Sequence, residues 1–191
     1  AMSIAKLDQF GLLQVTGEEA RAFLHAQLTN DIENLAPGRA RYAGWCSAKG
    51  RLLATFLLWR RDGDYFMELP AALQESIRKH LSKYVMRAKL KVRDAGGELV
   101  RLGVAGEGAC EALRTIFGGL PQTPYVAIHG ERGLLIALPG NRYEIVAAPE
   151  QSGALWQALR PVCTPVGAAC WDWLAIHAGV PAILPATQEQ F

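Results

Sequence analysis

Residues 23–59, FLHAQLTNDIENLAPGRARYAGWCSAKGRLLATFLLW, decide the fold of this chain. The segment contains a helix end at Thr29-Asn30-Asp31, a turn at Pro37-Gly38 and two apolar runs that meet at Lys49-Gly50. Two apolar runs on either side of a short glycine turn predict an antiparallel hairpin. A helix followed by such a hairpin indicates that helices and antiparallel strands share one domain.

A strand and a helix precede this hairpin. The strand is Phe10–Val15, and residues 20–28 have apolar side chains at helical spacing, which predicts one buried helix face. Thr16 and Glu19 stand three residues apart at the start of that helix. The spacing predicts a capping box, in which each side chain bonds a free backbone N–H.

The same order of elements occurs twice along the chain. The first set continues with Tyr65–Leu69, a helix over residues 70–85 and the alternating strand Lys89–Arg93. After Gly96-Gly97 a second set begins, with strands at 99–104, 125–128, 134–138 and 143–147 and helices at 109–117 and from 149. The repeated order predicts an α+β fold of two ferredoxin-like split βαβ subdomains, 4–95 and 96–165. A final helix and tail, 166–191, are expected to return to the first subdomain.

Composition and charge exclude several kinds of protein. The 191 residues are 50% hydrophobic and 20% charged, as in ordinary globular proteins. No run approaches the ~20 apolar residues of a membrane helix. A net charge of +2 gives little attraction for phosphates, which argues against direct tRNA binding. The four cysteines form no CxxC pair and no two histidines have metal-ligand spacing, so we expect reduced thiols, a cytoplasmic protein and no metal site.

Few residues point to chemistry. Trp171 and Trp173 are two apart on a helix, so they point to different faces, and one of them must leave the core or line a cavity. Stacking on a flat ligand and anchoring a domain interface are both open explanations. Glu144 is either an ordinary strand residue or a ligand for the edge of a pterin-like ring. A basic stripe is either a solvated strand face or a site for phosphate or polyglutamate: Arg87, Lys89, Lys91 and Arg93.

Five blocks of the sequence together resemble the folate-binding family of the glycine-cleavage T-protein, an aminomethyltransferase. In order, they are LDQFGLLQVTGEEARAFLHAQLTND, SAKGRLLATFLLW, KYVMRAKLKVRD, LGVAG and WDWLAIHAGVPAILPATQEQF. The likeness is greatest to the YgfZ-like branch, which supports tRNA modification and iron–sulfur enzymes. The resemblance implies two ferredoxin-like parts and a small C-terminal β-barrel around a channel that holds tetrahydrofolate. The chain stops at Phe191, before that barrel and before the family's Lys-Gly-Cys-Tyr-Thr-Gly-Gln-Glu motif, so we expect a truncated chain without the reactive cysteine.

The resemblance also implies which residues bind the cofactor. Phe10, where the family more often has tryptophan, and Trp171 match two aromatic positions linked with folate, and they would sandwich or flank the pterin. Glu144 would accept hydrogen bonds from the N–H groups of the pterin. The other residues expected to face the channel are Gln14, Tyr42 and Trp59.

One departure from the family concerns catalysis. Aminomethyltransferases carry a pair of aspartates a few residues after the hairpin glycine, and here Ala54 and Thr55 stand in their place. Neither side chain can take a proton from the folate amine, so we expect no catalytic residue. The predicted function is folate binding in support of iron–sulfur enzymes or assembly proteins.

Two alternatives remain: a folate-dependent one-carbon enzyme (an aminomethyltransferase or a demethylase), and a scaffold that no longer binds folate. An apolar wall meant for the missing barrel would favour a homodimer of this chain.

Overall fold

The computed structural model describes residues 2–180, which fall into two compact units. One unit contains residues 9–96, and the other contains residues 2–8 and 97–180. Each unit is a β-sheet with helices packed on it, so the predicted α+β fold is confirmed. The division differs from the expected one at residues 4–8, because strand β1 (Ser3–Lys6) pairs within the second unit.

Residues 9–96 form a five-stranded antiparallel sheet with two helices. In chain order the elements are β2 (Phe10–Thr16), α1 (Ala20–Gln27), β3 (Ala40–Cys46), β4 (Leu52–Arg61), β5 (Asp64–Pro70), α2 (Ala71–Tyr84) and β6 (Lys91–Asp94). The sheet order is β3-β4-β5-β2-β6, which is the ferredoxin-like order with β3 added at one edge. The hairpin predicted around Lys49-Gly50 is the β3–β4 pair.

The core of this unit follows from two periodicities. Leu13 and Val15 alternate along β2, and Leu73, Ile77 and Leu81 recur every four residues along α2; all five are buried in one apolar cluster. A period of two and a period near 3.6 are what a strand and a helix need to face each other. The two helices therefore cover one face of the sheet.

The predicted capping box at the start of α1 is wrong. The Glu19 side chain makes no cap within the helix, and it accepts a hydrogen bond from the backbone N–H of Lys89 instead. Gly17 has a φ of +117°, and a Cβ there would lie 2.3 Å from the carbonyl oxygen of Lys89. The segment before β6 therefore lies very close to the start of α1. The backbone N–H of Lys89 bonds the Glu19 carboxylate, which a capping box would have used as an acceptor.

The second unit is a six-stranded sheet. Besides β1, its elements are β7 (Val100–Ala105), α3 (Cys110–Phe117), β8 (Ala127–Gly130), β9 (Gly133–Leu138), β10 (Arg142–Ala147), α4 (Ser152–Leu159), β11 (Thr164–Pro165) and α5 (Ala168–His177). The order is β11-β1-β7-β10-β9-β8. This is again the ferredoxin-like order, with β8 added at one edge and β1 inserted between β11 and β7.

The sequence analysis did not predict strands β1 and β11, which are only four and two residues long. β1 is antiparallel to β7 and parallel to β11. Helices α3 and α4 bury Leu113, Leu155 and Leu159 against one face of the sheet. Gly118, in the left-handed conformation with a φ of 72°, ends α3 as predicted.

Helix α5 belongs to the second unit, since it packs against β1. The helix and tail at 166–191 were expected to return to the first subdomain, but α5 groups with the second unit, and residues 181–191 of the tail lie outside the described residues. Among residues 2–180 the longest helix is α2, with 14 residues, and none is long and apolar enough to cross a bilayer.

Candidate functional site

Each sheet has two faces of different chemistry. Residues that alternate with the apolar core residues point away from α1 and α2 in the five-stranded sheet, and away from α3 and α4 in the six-stranded sheet. We call these two surfaces the polar faces. The first polar face carries Phe10, Gln14, Tyr42, Thr55, Trp59, Asp64, Phe66 and Glu68. The second carries Arg101, Gly103, Arg142 and Glu144.

Burial of polar groups is confined to these faces. The polar or charged residues that are buried in the described chain are Gln14, Thr55, Glu68, Arg101, Arg142 and Glu144, and all six lie on a polar face. Burying such groups costs free energy unless they find hydrogen bonds or opposite charges. A sheet face that served packing alone would carry apolar side chains there. The polar faces are therefore the parts of the fold with the chemistry of a binding site.

The first polar face combines flat rings with hydrogen-bonding groups. Trp59 and Phe66, cross-strand partners on β4 and β5, stack with 5.8 Å between ring centroids and 9° between planes. Gln14 is the partner of Phe66 on the other side, and its Nε2 donates a hydrogen bond of 2.9 Å to Asp64 Oδ2. Four of the six residues expected to bind folate share this face: Phe10, Gln14, Tyr42 and Trp59.

Glu68 was missed by sequence reasoning. The residue is only 5% exposed, and it lies between Leu12 of β2 and Leu57 of β4. Diagonal neighbours in a sheet are about 7–8 Å apart, which puts Glu68 next to Gln14 and Trp59. The signal was a single acidic residue inside the apolar strand 65–69, at a position that alternates away from the core.

The second polar face brings Trp171 and Glu144 together. Gly103 is the cross-strand partner of Glu144, and a Cβ on Gly103 would lie 2.7 Å from the ring of Trp171. The guanidinium carbon of Arg142 lies 5.2 Å from the centroid of the same ring. Trp171 is thus held flat on the sheet, 2% exposed, beside a carboxylate that is 1% exposed. Within this unit the structure places the two predicted residues side by side.

The two tryptophans diverge as their spacing predicts. Trp173 is 56% exposed and stacks on His177, with 3.7 Å between ring centroids, whereas Trp171 is buried. One indole therefore leaves the core and the other lies on the polar face.

The positions that replace the aspartate pair have different surroundings. Ala54 is fully buried in the apolar core, and Thr55 lies on the polar face. The Thr55 hydroxyl accepts a hydrogen bond of 2.9 Å from Tyr42 Oη. A hydroxyl is not a proton acceptor at neutral pH in the way a carboxylate is, so Thr55 cannot act as the missing base.

Other side chains that could bind or react are those of Tyr143 and Cys110 and of the basic stripe. Tyr143 Oη is 3.8 Å from Cys110 Sγ, and burial, with help from that hydrogen bond, raises the pKa of Tyr143 to about 12. The basic stripe lies on and before β6, an edge strand, and its four cationic residues are exposed. Lys89 pairs loosely with Glu18 at 3.8 Å. Among the described residues no three His, Cys, Asp or Glu side chains are grouped for a metal ion.

Comparison with protein families identifies the fold. The family model described as the GCVT N-terminal domain matches residues 1–130. The chain belongs to that family. Two curated relatives are the tRNA-modifying proteins YgfZ of Klebsiella pneumoniae and of Yersinia pseudotuberculosis. Each is 31% identical to this chain, and the match covers 100% of this chain and 58% of the relative. The chain thus spans little more than half the length of these relatives.

Two solved structures have a similar fold. The aminomethyltransferase T of the glycine cleavage system from Bartonella henselae superposes with a TM-score of 0.78 at 19% identity. That match covers 94% of this chain and 52% of the other. A heterotetrameric sarcosine oxidase from Corynebacterium gives a TM-score of 0.61 at 14% identity, with 86% of both chains covered.

Proposed function

We propose that this GCVT-family chain is the tetrahydrofolate-binding part of a cytoplasmic protein that supports tRNA modification. The observation that supports this best is the position of the six residues expected to bind the cofactor. Phe10, Gln14, Tyr42 and Trp59 lie on the first polar face, Glu144 lies on the second, and Trp171 packs on the second. These faces also hold every buried polar side chain of residues 2–180.

The first polar face would supply flat surfaces and acceptors. The stacked Trp59–Phe66 pair presents π faces, on which a pterin or an aminobenzoyl ring can stack. Phe10, at the end of β2, would add a third ring, without the indole donor that a tryptophan has. Tyr42 is held by Thr55, so its ring would have a fixed orientation toward the ligand.

On the second polar face, Glu144 would be the carboxylate that accepts hydrogen bonds from pterin N–H groups. A carboxylate accepts two hydrogen bonds in parallel, which suits the adjacent N–H groups of an aminopyrimidinone ring. Glu144 is one strand away from Gly103, on which Trp171 rests. Trp171 would fix the shape of the surface next to the carboxylate.

The wider role is proposed from the relatives. Both YgfZ proteins are named as tRNA-modifying, and they match this chain along its whole length. We propose that the folate site serves iron–sulfur enzymes or their assembly proteins, including those that act on tRNA. Dimerisation of the chain stays a prediction, which analytical ultracentrifugation tests.

A one-carbon transferase is the alternative that the site argues against. The first polar face has Thr55 where the transferases would need a carboxylate, and the neighbouring Ala54 is in the apolar core. An assay for methylene-tetrahydrofolate formation separates the two functions. We expect binding without turnover.

Titration of tetrahydrofolate tests the proposal. Calorimetry and tryptophan fluorescence should detect binding to this chain, and Glu144→Gln should weaken it by roughly tenfold or more, since charge-assisted hydrogen bonds are worth about 1.5–3 kcal/mol. Exposed Glu131→Gln is the matched control. Equal affinities for all three proteins would refute the role of Glu144, and no binding by the unmodified chain would favour a scaffold without folate.

A further inference from the structure

The side-chain amide of Gln14 is buried, and within residues 2–180 only its nitrogen has a hydrogen-bond partner. The side chain is 6% exposed, and its Nε2 donates to Asp64 Oδ2 at 2.9 Å. Its Oε1 atom is buried and has no hydrogen-bond partner among the described residues. A buried acceptor without a donor costs about 1–3 kcal/mol, so such an atom calls for a partner.

Asp64 determines which atom of the Gln14 amide has no hydrogen-bond partner in the described part of the chain. An ionised carboxylate can only accept hydrogen bonds, so the amide must turn its NH₂ group toward Asp64. The oxygen then points the other way. Asp64 is two residues before Phe66 on β5, and Phe66 is the cross-strand partner of Gln14, so the contact is a diagonal pair on the polar face.

We propose that Asp64 is a positioning residue that leaves Gln14 Oε1 as an obligatory acceptor for a ring N–H of the bound ligand. This rests on the proposed folate-binding function. Phe66 lies beside Gln14, and Trp59 stacks on Phe66, so the acceptor stands at the border of a flat aromatic surface. A planar heterocycle lying on those rings would bring its edge to Oε1.

The acceptor makes the site sensitive to the oxidation state of the pterin. In tetrahydrofolate two ring nitrogens carry hydrogen and donate, whereas in folic acid the same nitrogens are acceptors. An acceptor facing an acceptor loses the hydrogen bond and adds repulsion. Glu68, also an acceptor when ionised, lies diagonally from Gln14 on the same face and acts in the same direction. We therefore expect the first polar face to prefer the reduced cofactor.

The test compares the affinities of tetrahydrofolate and folic acid, measured by calorimetry under anaerobic conditions. For the unmodified chain we expect tighter binding of tetrahydrofolate. Asp64→Ala frees the Gln14 amide to rotate and present its NH₂ group, so the ratio of the two affinities should fall roughly tenfold. Asp8→Asn, an exposed carboxylate, should leave the ratio unchanged.

A double variant tests the hydrogen-bond direction itself. In Gln14→Glu with Asp64→Asn, the new amide donates to one oxygen of the new carboxylate, and the other oxygen remains an acceptor for the ligand. The double variant should recover the preference for tetrahydrofolate that Asp64→Ala loses. A role of Asp64 in folding alone would change the melting temperature without changing the affinity ratio.

The outcomes separate this inference from the proposed function. If the unmodified chain binds neither compound, the proposed function is refuted, and the proposed role of Gln14 Oε1 as an acceptor for the ligand is refuted with it. If the chain binds tetrahydrofolate but Asp64→Ala keeps the affinity ratio, or the double variant does not recover it, only the positioning role of Asp64 is refuted.

Discussion

Replacing Gly103 by alanine should destabilise the second unit through one identifiable contact. The three atoms nearest to a Cβ at this position all belong to the ring of Trp171, at 2.7, 2.7 and 2.8 Å. Carbon atoms prefer separations of about 3.5–4.0 Å, so the ring would have to rise by roughly 1 Å. The ring cannot swing aside freely, because it is 2% exposed and lies under Arg142.

The size of the effect follows from overpacking. One extra methyl group in a packed core costs about 1–3 kcal/mol. For a unit of fewer than 100 residues, each kcal/mol lowers the melting temperature by about 4–8 °C. We therefore expect Gly103→Ala to melt roughly 10 °C lower, measured by circular dichroism and checked by urea unfolding. Gly153→Ala in α4, where a Cβ meets nothing within 4 Å, should be neutral or stabilising by up to ~1 kcal/mol.

A double-mutant cycle identifies the contact. Trp171→Ala removes the ring, so adding Gly103→Ala to that variant should cost little. The coupling free energy between the two sites should then be about 1–3 kcal/mol. If Gly103→Ala costs the same with and without the indole, the close approach of the ring is not the cause, and the argument is refuted.

Three further predictions use other parts of the fold. Ala54→Asp should destabilise the first unit by several kcal/mol more than Thr55→Asp in urea unfolding, because it puts a charge into the apolar core rather than on the polar face. The pKa of the Tyr143 phenol is raised to about 12, so the phenol stays neutral in the folded chain up to high pH. Its contribution to the free energy of unfolding is full below pH ~10 and falls as the pH rises toward 12. Ultraviolet titration should show a tyrosine with a pKa of about 12 that Tyr143→Phe removes, whereas Tyr125, whose pKa burial also raises, should still ionise late in that variant. Ordinary titration of every tyrosine would contradict this. Trp173→Ala should change the free energy of unfolding by no more than about 0.5 kcal/mol, because the ring is 56% exposed; a larger loss would mean that its stacking on the neighbouring histidine is structural.

Much of the architecture could be predicted because alternation and helical periods are local signals. The order of elements in each unit, the hairpin at Lys49-Gly50 and the stop at Gly118 all depend on neighbouring residues. The capping box failed because a segment 70 residues away supplied a competing donor for Glu19. Strand β1 was missed for a similar reason, since its partner strands β7 and β11 begin about 100 and about 160 residues later.

The candidate site was predictable in part. Alternation alone puts Gln14, Trp59 and Glu144 opposite the core residues, which agrees with the faces they occupy. Glu68 and Asp64 could not be recognised as neighbours of Gln14, because their closeness depends on the register between β2 and β5. Register is set by the whole sheet and is not written in either strand alone. Whether these residues bind folate stays a prediction.

The insertion of β1 between β7 and β11 has a consequence for synthesis on the ribosome. Strand β1 can pair with β7 only after residues 100–105 have been made, and its other edge is completed only when residues 164–165 have emerged. At about 5–20 residues per second the delay is on the order of ten seconds, during which residues 9–96 can already fold. Ile4 and Ala5, fully buried in the folded unit, lack their complete set of partners during that time. A nascent chain of this design therefore exposes an apolar segment while the second unit is being made, and substitutions in residues 3–6 would interfere with a late step of folding rather than an early one.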